Sequence, residues 1–290
     1  MRPLSAAALL GLGTAGVGGW YKFRNLEPTT LRQYLEWQGL RLISDSESNY
    51  WNAVLEEHKE FIKESGLDNS KIDGIKQWCK GNIDSKDYEN LKAKALRLCV
   101  DNPKTIKARI IQLDGGTGHL INGNDADNKY KVSYVFRKHI DGFNSLISYS
   151  PQMEDDGKEV ENLEAAKDAF KKWCTDSLDK PIDETLVQNI RTLCTPKKFS
   201  TIEELIKQNK EDKMLLTESG NSSDLEKKYT AIKELSTWTA DNTGSKSDSS
   251  DLKTWCETNK SKNFHEPKVF SETYPKFRFR CLKGTTADPK

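Results

Sequence analysis

Six cysteines carry most of the chemical potential of this chain, and their spacing limits what that chemistry can be. Three close K-x-W-C tetrads, KQWC at 76–79, KKWC at 171–174 and KTWC at 253–256, and a lone cysteine follows each. The pairs are Cys79 with Cys99, Cys174 with Cys194 and Cys256 with Cys281, separated by 20, 20 and 25 positions. Cysteine can bind zinc, exchange disulfides, close a structural staple, or pack as a small hydrophobe. Zinc is disfavoured because no C-x-x-C occurs and His58, His119, His139 and His265 are not spaced as ligands around the cysteines. Redox catalysis is disfavoured because a reactive pair usually sits as C-x-x-C at a helix start. Disulfides remain, against reduced thiols buried beside a tryptophan. The recurring pairing, with no cysteine left over, favours one disulfide per unit. Facing positions of a helical hairpin meet the Cα separation limit of about 7 Å. Such a closure stabilises by roughly 3 kcal/mol on the chain-entropy model.

Little else in the sequence offers chemistry. No Walker loop, H-E-x-x-H, G-x-S-x-G or dinucleotide fingerprint is present. LDGGTGHLINGNDADN at 113–128 has glycines that could cradle an anion, and Asp125 and Asp127 could meet calcium. The EF-hand ligand order fails there, and the stretch aligns with plain polar loops elsewhere, so an ordinary turn is expected. His58 and His139 fall on helix faces and read as core-edge residues. Trp78, Trp173 and Trp255 read as structural core. Trp20, Trp37, Trp51 and Trp238 are not all placed, leaving room for an exposed one. NSS at 221–223 and NKS at 259–261 match the glycosylation pattern, which has meaning only in a eukaryotic secretory host. The chain therefore reads as non-enzymatic, with no catalytic residue, no metal site and no cofactor.

The elements that must position the cysteines recur three times. Each unit opens with threonine and an aliphatic residue, TLRQYL from Thr30, TIKARI from Thr105 and TIEELI from Thr201. An apolar pair and a polar stretch follow from Leu42, Leu120 and Leu215. An amphipathic stretch, the W-C segment and a final cysteine complete the unit. Helical periodicity places Trp51, Val54, Leu55, His58, Phe61 and Ile62 on one face. Val132, Val135, Phe136, His139, Phe143 and Ile147 repeat the pattern, and Leu225, Tyr229, Ile232 and Leu235 keep the period. The W-C segments and the segments ending at Cys99 and Cys194 are also helical in pattern. Asp84 or Ser85 suits an N-cap of the helix before Cys99, and Pro181 suits a helix start before Cys194. After Glu272, Pro275 and the alternation of Phe277, Phe279 and Cys281 predict an extended end. DNPK at 101–104 and TPKKFS at 195–200 read as linkers. SYSPQMEDDGKEVEN at 148–162 and TADNTGSKSDSSD at 239–251 read as polar insertions, the second as a mobile loop.

The bulk composition agrees with small modules. Charged residues make up 31% and hydrophobic ones 35%, with a mean hydropathy of −0.76. That suits several small cores better than one large core. The 45 basic residues nearly balance the 44 acidic ones, so no field favours nucleic acid. Residues 1–25 stand apart, with an uncharged run from Leu4 to Tyr21 near the lower length limit of a bilayer span. A signal anchor, a cleaved signal peptide and a buried helix compete for it. Lys22, Arg24 and Arg32 outnumber Arg2, so an exported body fits a cleaved signal better than a simple anchor.

The start M-x-x-L-x-A-A-A-L-L-G-L-G-x-A-G, the T-[LI] and L-[IL]-[ST] pieces, and helices ending in K-x-W-C resemble the large paralogous families of uncharacterised proteins of hemotropic mycoplasmas. The resemblance is strongest at Leu9–Gly16, Lys76–Cys79 and Lys171–Cys174 and rests on sparse positions. It implies surface display and a role in host interaction or immune evasion, and it brings no catalytic residues. The expected architecture is mainly α, with three tandem small helical modules after an N-terminal hydrophobic segment, each holding a Cys-Cys-linked helical hairpin. The modules span 28–101, 103–196 and 199–284, with a frayed tail at 285–290. The expected function is a cell-surface or secreted repeat protein for adhesion, host interaction or antigenic display, its body outside the membrane. Its expected partners are host surface or plasma components, and the membrane through the N-terminal segment. A small-ligand binder with a groove between units, an enzyme of unrecognised type, and a cytosolic structural protein with free thiols are the alternatives.

Overall fold

The computed structural model describes residues 27–284, apart from 156, 158, 243 and 245. The N-terminal hydrophobic segment and the tail from 285 lie outside the described residues. The fold is mainly helical, with fifteen α-helices and no strand among the described residues. Two units divide the chain, Met1–Pro103 and Lys104–Lys290. The first holds repeat one. The second holds repeats two and three.

Each repeat opens with a short helix: α1 (Leu31–Trp37), α6 (Ile106–Asp114) and α11 (Ile202–Gln208). The recurring threonine is the N-cap. The hydroxyls of Thr30, Thr105 and Thr201 accept the backbone N–H groups of Gln33, Ala108 and Glu204 at 3.3, 3.2 and 3.2 Å. A capped first turn leaves fewer orphan donors, which is why Thr recurs there. The aliphatic residue that follows each cap, Leu31, Ile106 or Ile202, is fully buried.

The amphipathic stretch is helical but broken in every repeat. It forms α2 (Ser48–Glu57) and α3 (Lys59–Glu64), α7 (Ala126–Val135) and α8 (Phe143–Leu146), and α12 (Ser222–Ile232) and α13 (Ser236–Asp241). The break falls at His58 in repeat one, so the single long face expected there is split between two helices. The hairpins follow: α4 (Ile72–Asn82) with α5 (Lys92–Leu98), α9 (Leu163–Leu178) with α10 (Glu184–Leu193), and α14 (Ser249–Lys260) with α15 (Tyr274–Cys281).

Two local expectations fail. The chain after Glu272 is not extended: a π-helical turn at Val269–Thr273 runs into α15, and Pro275 lies in its first turn. Proline is tolerated there because the first helical N–H groups have no intrahelical partner. Neither Asp84 nor Ser85 caps the helix before Cys99. A 3₁₀ turn at Glu89–Leu91 leads into α5 without a side-chain cap, while Asp84 pairs with Arg32 at 2.8 Å. Before Cys194 the cap is Asp183, which accepts the Leu186 N–H at 2.8 Å, two residues beyond Pro181.

Repeat one closes its own core around Leu31, Leu35, Trp51, Ile62, Ile75 and Leu98. Repeats two and three share one continuous core. An aromatic cluster joins them. Phe136 of repeat two meets Phe199, Phe264 and Phe270, each at 4.8 Å between centroids and near edge-to-face. Phe199 belongs to the stretch expected as a linker, and it is buried. Edge-to-face pairs add about 0.5–1.5 kcal/mol each beyond burial. Glu161 of the repeat-two insertion adds a polar tie, accepting from Lys268 N–H and from the Ser271 hydroxyl at 2.8 Å.

Phe264 is fully buried in this cluster. Phe264→Ala is expected to destabilise residues 104–290 by about 3–5 kcal/mol, the range for aromatic truncation in a core. Urea denaturation of the full chain checks this, and a loss below about 1 kcal/mol would show that the cluster does not hold repeats two and three together.

Candidate functional site

The cysteine hairpins are the recurring built feature of the molecule. Cys79–Cys99, Cys174–Cys194 and Cys256–Cys281 are disulfides, with Cα separations of 5.7, 5.9 and 5.7 Å. Each links the W-C helix of a repeat to its closing helix. All six sulfurs lie in buried residues, so the bonds are shielded from solvent.

Two backbone hydrogen bonds sew each repeat onto its hairpin. In the first, the N–H of the buried aliphatic residue after the threonine cap donates into the turn that follows the W-C helix. The bonds are Leu31 to Ser85 O at 3.0 Å, Ile106 to Lys180 O at 3.0 Å and Ile202 to Lys262 O at 3.2 Å. In the second, the apolar pair docks on the closing cysteine. Ile43, Ile121 and Leu216 donate to the carbonyls of Cys99, Cys194 and Cys281 at 3.1, 2.7 and 2.8 Å. Both bonds use groups that helix ends leave orphaned, an N–H in a first turn and a carbonyl in or just past a last turn. Repeats one and three add a further bond, Asp101 N–H to Arg41 O at 2.8 Å and Lys283 N–H to Met214 O at 2.9 Å. Repeat two has Pro196 there, which lacks the donor. The buried Arg137 instead covers that stretch, donating to Thr195 O at 2.7 Å and Thr192 O at 3.3 Å.

Trp78, Trp173 and Trp255 are not in the fully buried core. They are half-buried and pack against its edge. A residue next to an inward-facing cysteine is turned by about 100° around the helix, which carries the ring to the flank. Trp78 is covered by Lys94 at 4.7 Å, Trp173 stacks on Phe170 at 6.4 Å, and Trp255 lies under Arg280 at 4.7 Å. Among the described residues the fully buried tryptophans are Trp51 and Trp238, while Trp37 is 59% exposed, and Trp20 lies outside them. Trp51 satisfies its indole N–H on Ser44 O at 2.8 Å. The tetrad lysine also has a role in two repeats: Lys76 donates to Asp45 O at 2.8 Å, and Lys171 to Asp127 Oδ1 at 2.9 Å. Each ties the W-C helix to the chain segment before it.

Several charged groups had no sequence signal. Arg280 has no solvent exposure, yet it pairs with Asp241 at 2.8 Å and donates to Thr237 O at 2.9 Å. Its guanidinium is flanked by Trp238 and Trp255 at 5.5 and 4.7 Å. Read as an extended end, FRFRC turns this arginine outward; the helix turns it in. Arg191 and Arg278, at matching positions of repeats two and three, grip Asp114 and Glu211. The arginine hydrogen bonds hold both carboxyls below their usual range.

The remaining candidates are held in local contacts. Gly115 caps α6 in the left-handed conformation, which glycine adopts without Cβ strain. Asp127 is held by Lys171 and Lys167, and Asp125 accepts from Asn128 at 2.9 Å, so 113–128 is the end of α6, a loop and the start of α7, with its carboxylates engaged. No group of three metal-ligating side chains gathers among the described residues. His58 lies 3.9 Å from Glu57, His119 lies 3.4 Å from Asp114, and His139 stacks on Phe270 at 5.9 Å. Both glycosylation-pattern asparagines are buried. Asn221 donates to Leu215 O at 2.6 Å and Asn259 to Trp255 O at 2.8 Å, so their amides serve the fold. A cleft of about 570 Å³ opens in repeat three, lined by Asp241, Trp255, Thr258, Lys262, Thr273 and Lys276 among others. Comparison with known proteins finds no matching family model, no matching curated protein and no matching solved structure.

The pairing makes a direct prediction. The native chain takes up no alkylating reagent, and all six thiols appear after reduction. Six reactive thiols in the native chain would contradict the staples. Replacing Cys174 and Cys194 together by serine is expected to cost about 3 kcal/mol in denaturant unfolding of the full chain.

Proposed function

We propose that this chain is a non-enzymatic, extracytoplasmic repeat protein, anchored to the membrane or secreted, that displays variable loops on a stapled helical scaffold. Its role is host interaction, adhesion or antigenic display, with host surface or plasma components as partners. The observation that carries the reading is the closure of every cysteine within its own repeat. Three disulfides suggest an oxidising, extracytoplasmic environment and count against a cytosolic protein with free thiols. No helix among the described residues is long and apolar enough to cross a membrane, and residues 1–25, which would anchor or export the body, lie outside them.

The division of labour within each repeat supports display. The caps, the two backbone bonds and the disulfide recur, whereas the segments between them differ in length and composition. Loops on a rigid scaffold tolerate such variation, and recognition commonly resides there. The resemblance to mycoplasma families points the same way. A second reading, an extracytoplasmic small-ligand binder, draws on the repeat-three cleft, where Trp255 offers a ring among hydroxyl, ammonium and carboxylate groups.

Protease treatment of intact producing cells tests the leading reading. Display predicts loss of the body from the cell fraction, and secretion predicts its recovery from the medium. Complete protection inside intact cells would overturn both.

A further inference from the structure

A cavity of about 460 Å³ lies where repeats two and three meet, within the single unit of residues 104–290. Lys129 of α7, Lys197 and Lys198 of the stretch before α11, and His265 after α14 all contribute to its lining. None of the three lysines has a carboxylate within ion-pair distance among the described residues. Three lysines that line other clefts do: Lys276, Lys227 and Lys283 each pair with a carboxylate. Unpaired ammonium groups normally sit in open water, where solvation offsets their repulsion. Lys197 instead lies partly buried over the Phe136 ring at 5.8 Å. Behind it, Arg137 is buried and bonded only to the carbonyls of Ser133, Thr192 and Thr195. Burial pulls the Arg137 guanidinium down to about 10, and it lowers the Lys197 ammonium as well, with Arg137 adding to that effect. Two adjoining cations without a counter-charge in a partly dry site are electrostatically costly.

The acidic groups of the cavity do not supply that counter-charge. Glu204 accepts from Ser200 N–H, Ser200 Oγ–H and Thr201 N–H at 2.6, 2.9 and 3.2 Å, all at Oε2, the oxygen that serves the capping box of α11. Asp125 accepts from Asn128. One polar atom is left over: His265 Nδ1 is buried and has no hydrogen-bond partner among the described residues. A buried polar atom without a partner costs about 1–3 kcal/mol, so such groups usually meet one.

We propose that this cavity binds an oxyanion, a phosphate or sulfate group, held by Lys197 and Lys198 with Lys129 and His265 completing its shell. The cavity falls within the size range of small-ligand sites, so the group can be free or carried by a compact ligand. The site stands independently of surface display and of the repeat-three cleft. It gives the junction between the two repeats a ligand-dependent stability, since a ligand of the folded state stabilises by mass action.

Titration of the oxidised full chain with sodium phosphate, sodium sulfate and sodium chloride at matched ionic strength tests the proposal. Calorimetry is expected to give one saturable site for phosphate, with sulfate competing and chloride inert. Thermal unfolding is expected to shift upward with phosphate beyond the shift given by chloride. Lys197→Met keeps the apolar stem over Phe136, and Lys198→Ala alters an exposed residue, so both variants should fold. Each is expected to weaken phosphate binding by about tenfold. Lys227→Ala, away from the cavity beside Asp224, is expected to leave it unchanged. Equal effects of phosphate and chloride, or undiminished binding in both cavity variants, would overturn the proposal.

Discussion

In each repeat the chain returns to its own disulfide hairpin twice, once with the first N–H of the opening helix and once with the N–H of the apolar pair. These two hydrogen bonds set the positions of everything between them. They recur at matching positions with lengths of 2.7–3.2 Å, although the intervening residues are largely unlike. Helix ends expose donors and acceptors that must be satisfied, and here a first-turn N–H meets a carbonyl of the hairpin turn, and the carbonyl of the closing cysteine meets an N–H of the apolar pair. The disulfide keeps the two hairpin helices together, so both acceptors stay in place when local packing is thin. A repeat of fewer than about a hundred residues has a small core, and this arrangement supplements it.

The two units solve the remaining burial problem differently. Repeat one covers its own core with α1 to α5, including the buried indole of Trp51. Repeats two and three pool theirs, through Phe136, Phe199, Phe264 and Phe270 and through Glu161 reaching the π-helical turn. Pooling carries an electrostatic consequence. It buries Arg137 and half-buries Lys197 beside a cavity, where a soluble anion would supply what no side chain does.

Much of this scaffold was legible in the sequence because its determinants are short and local. A threonine before an aliphatic residue marks a capped helix, and paired cysteines at repeated spacing mark a hairpin closed within the unit. The shared core was not legible. Periodicity placed Phe136 on a helix face, but its partners Phe199, Phe264 and Phe270 sit in connecting stretches and at helix ends, where hydrophobic periodicity gives no signal. The tryptophans of the tetrads looked like core because they adjoin cysteine, but one residue along a helix is a different face. The segment after Glu272 is helical, not extended, and this was not legible for one reason: alternation over five residues fits a strand, and the tolerance of a first helical turn for Pro275 depends on a boundary that pattern alone does not fix. Of the proposed anion cavity, the sequence showed only adjacent lysines at 197 and 198; the buried nitrogen and the lack of a carboxylate within ion-pair distance of the lysines are properties of the packing.

Each repeat is held to its hairpin by the two backbone bonds, and native-state hydrogen exchange reads them directly. An amide in the first turn of a helix ordinarily exchanges fast, because it has no intrahelical acceptor. Here the amides of Leu31, Ile106 and Ile202, with those of Ile43, Ile121 and Leu216, should exchange as slowly as the central amides of the W-C helices and lose protection on reduction. Fast exchange of these six amides in the oxidised chain, with the W-C helices still protected, would contradict the account.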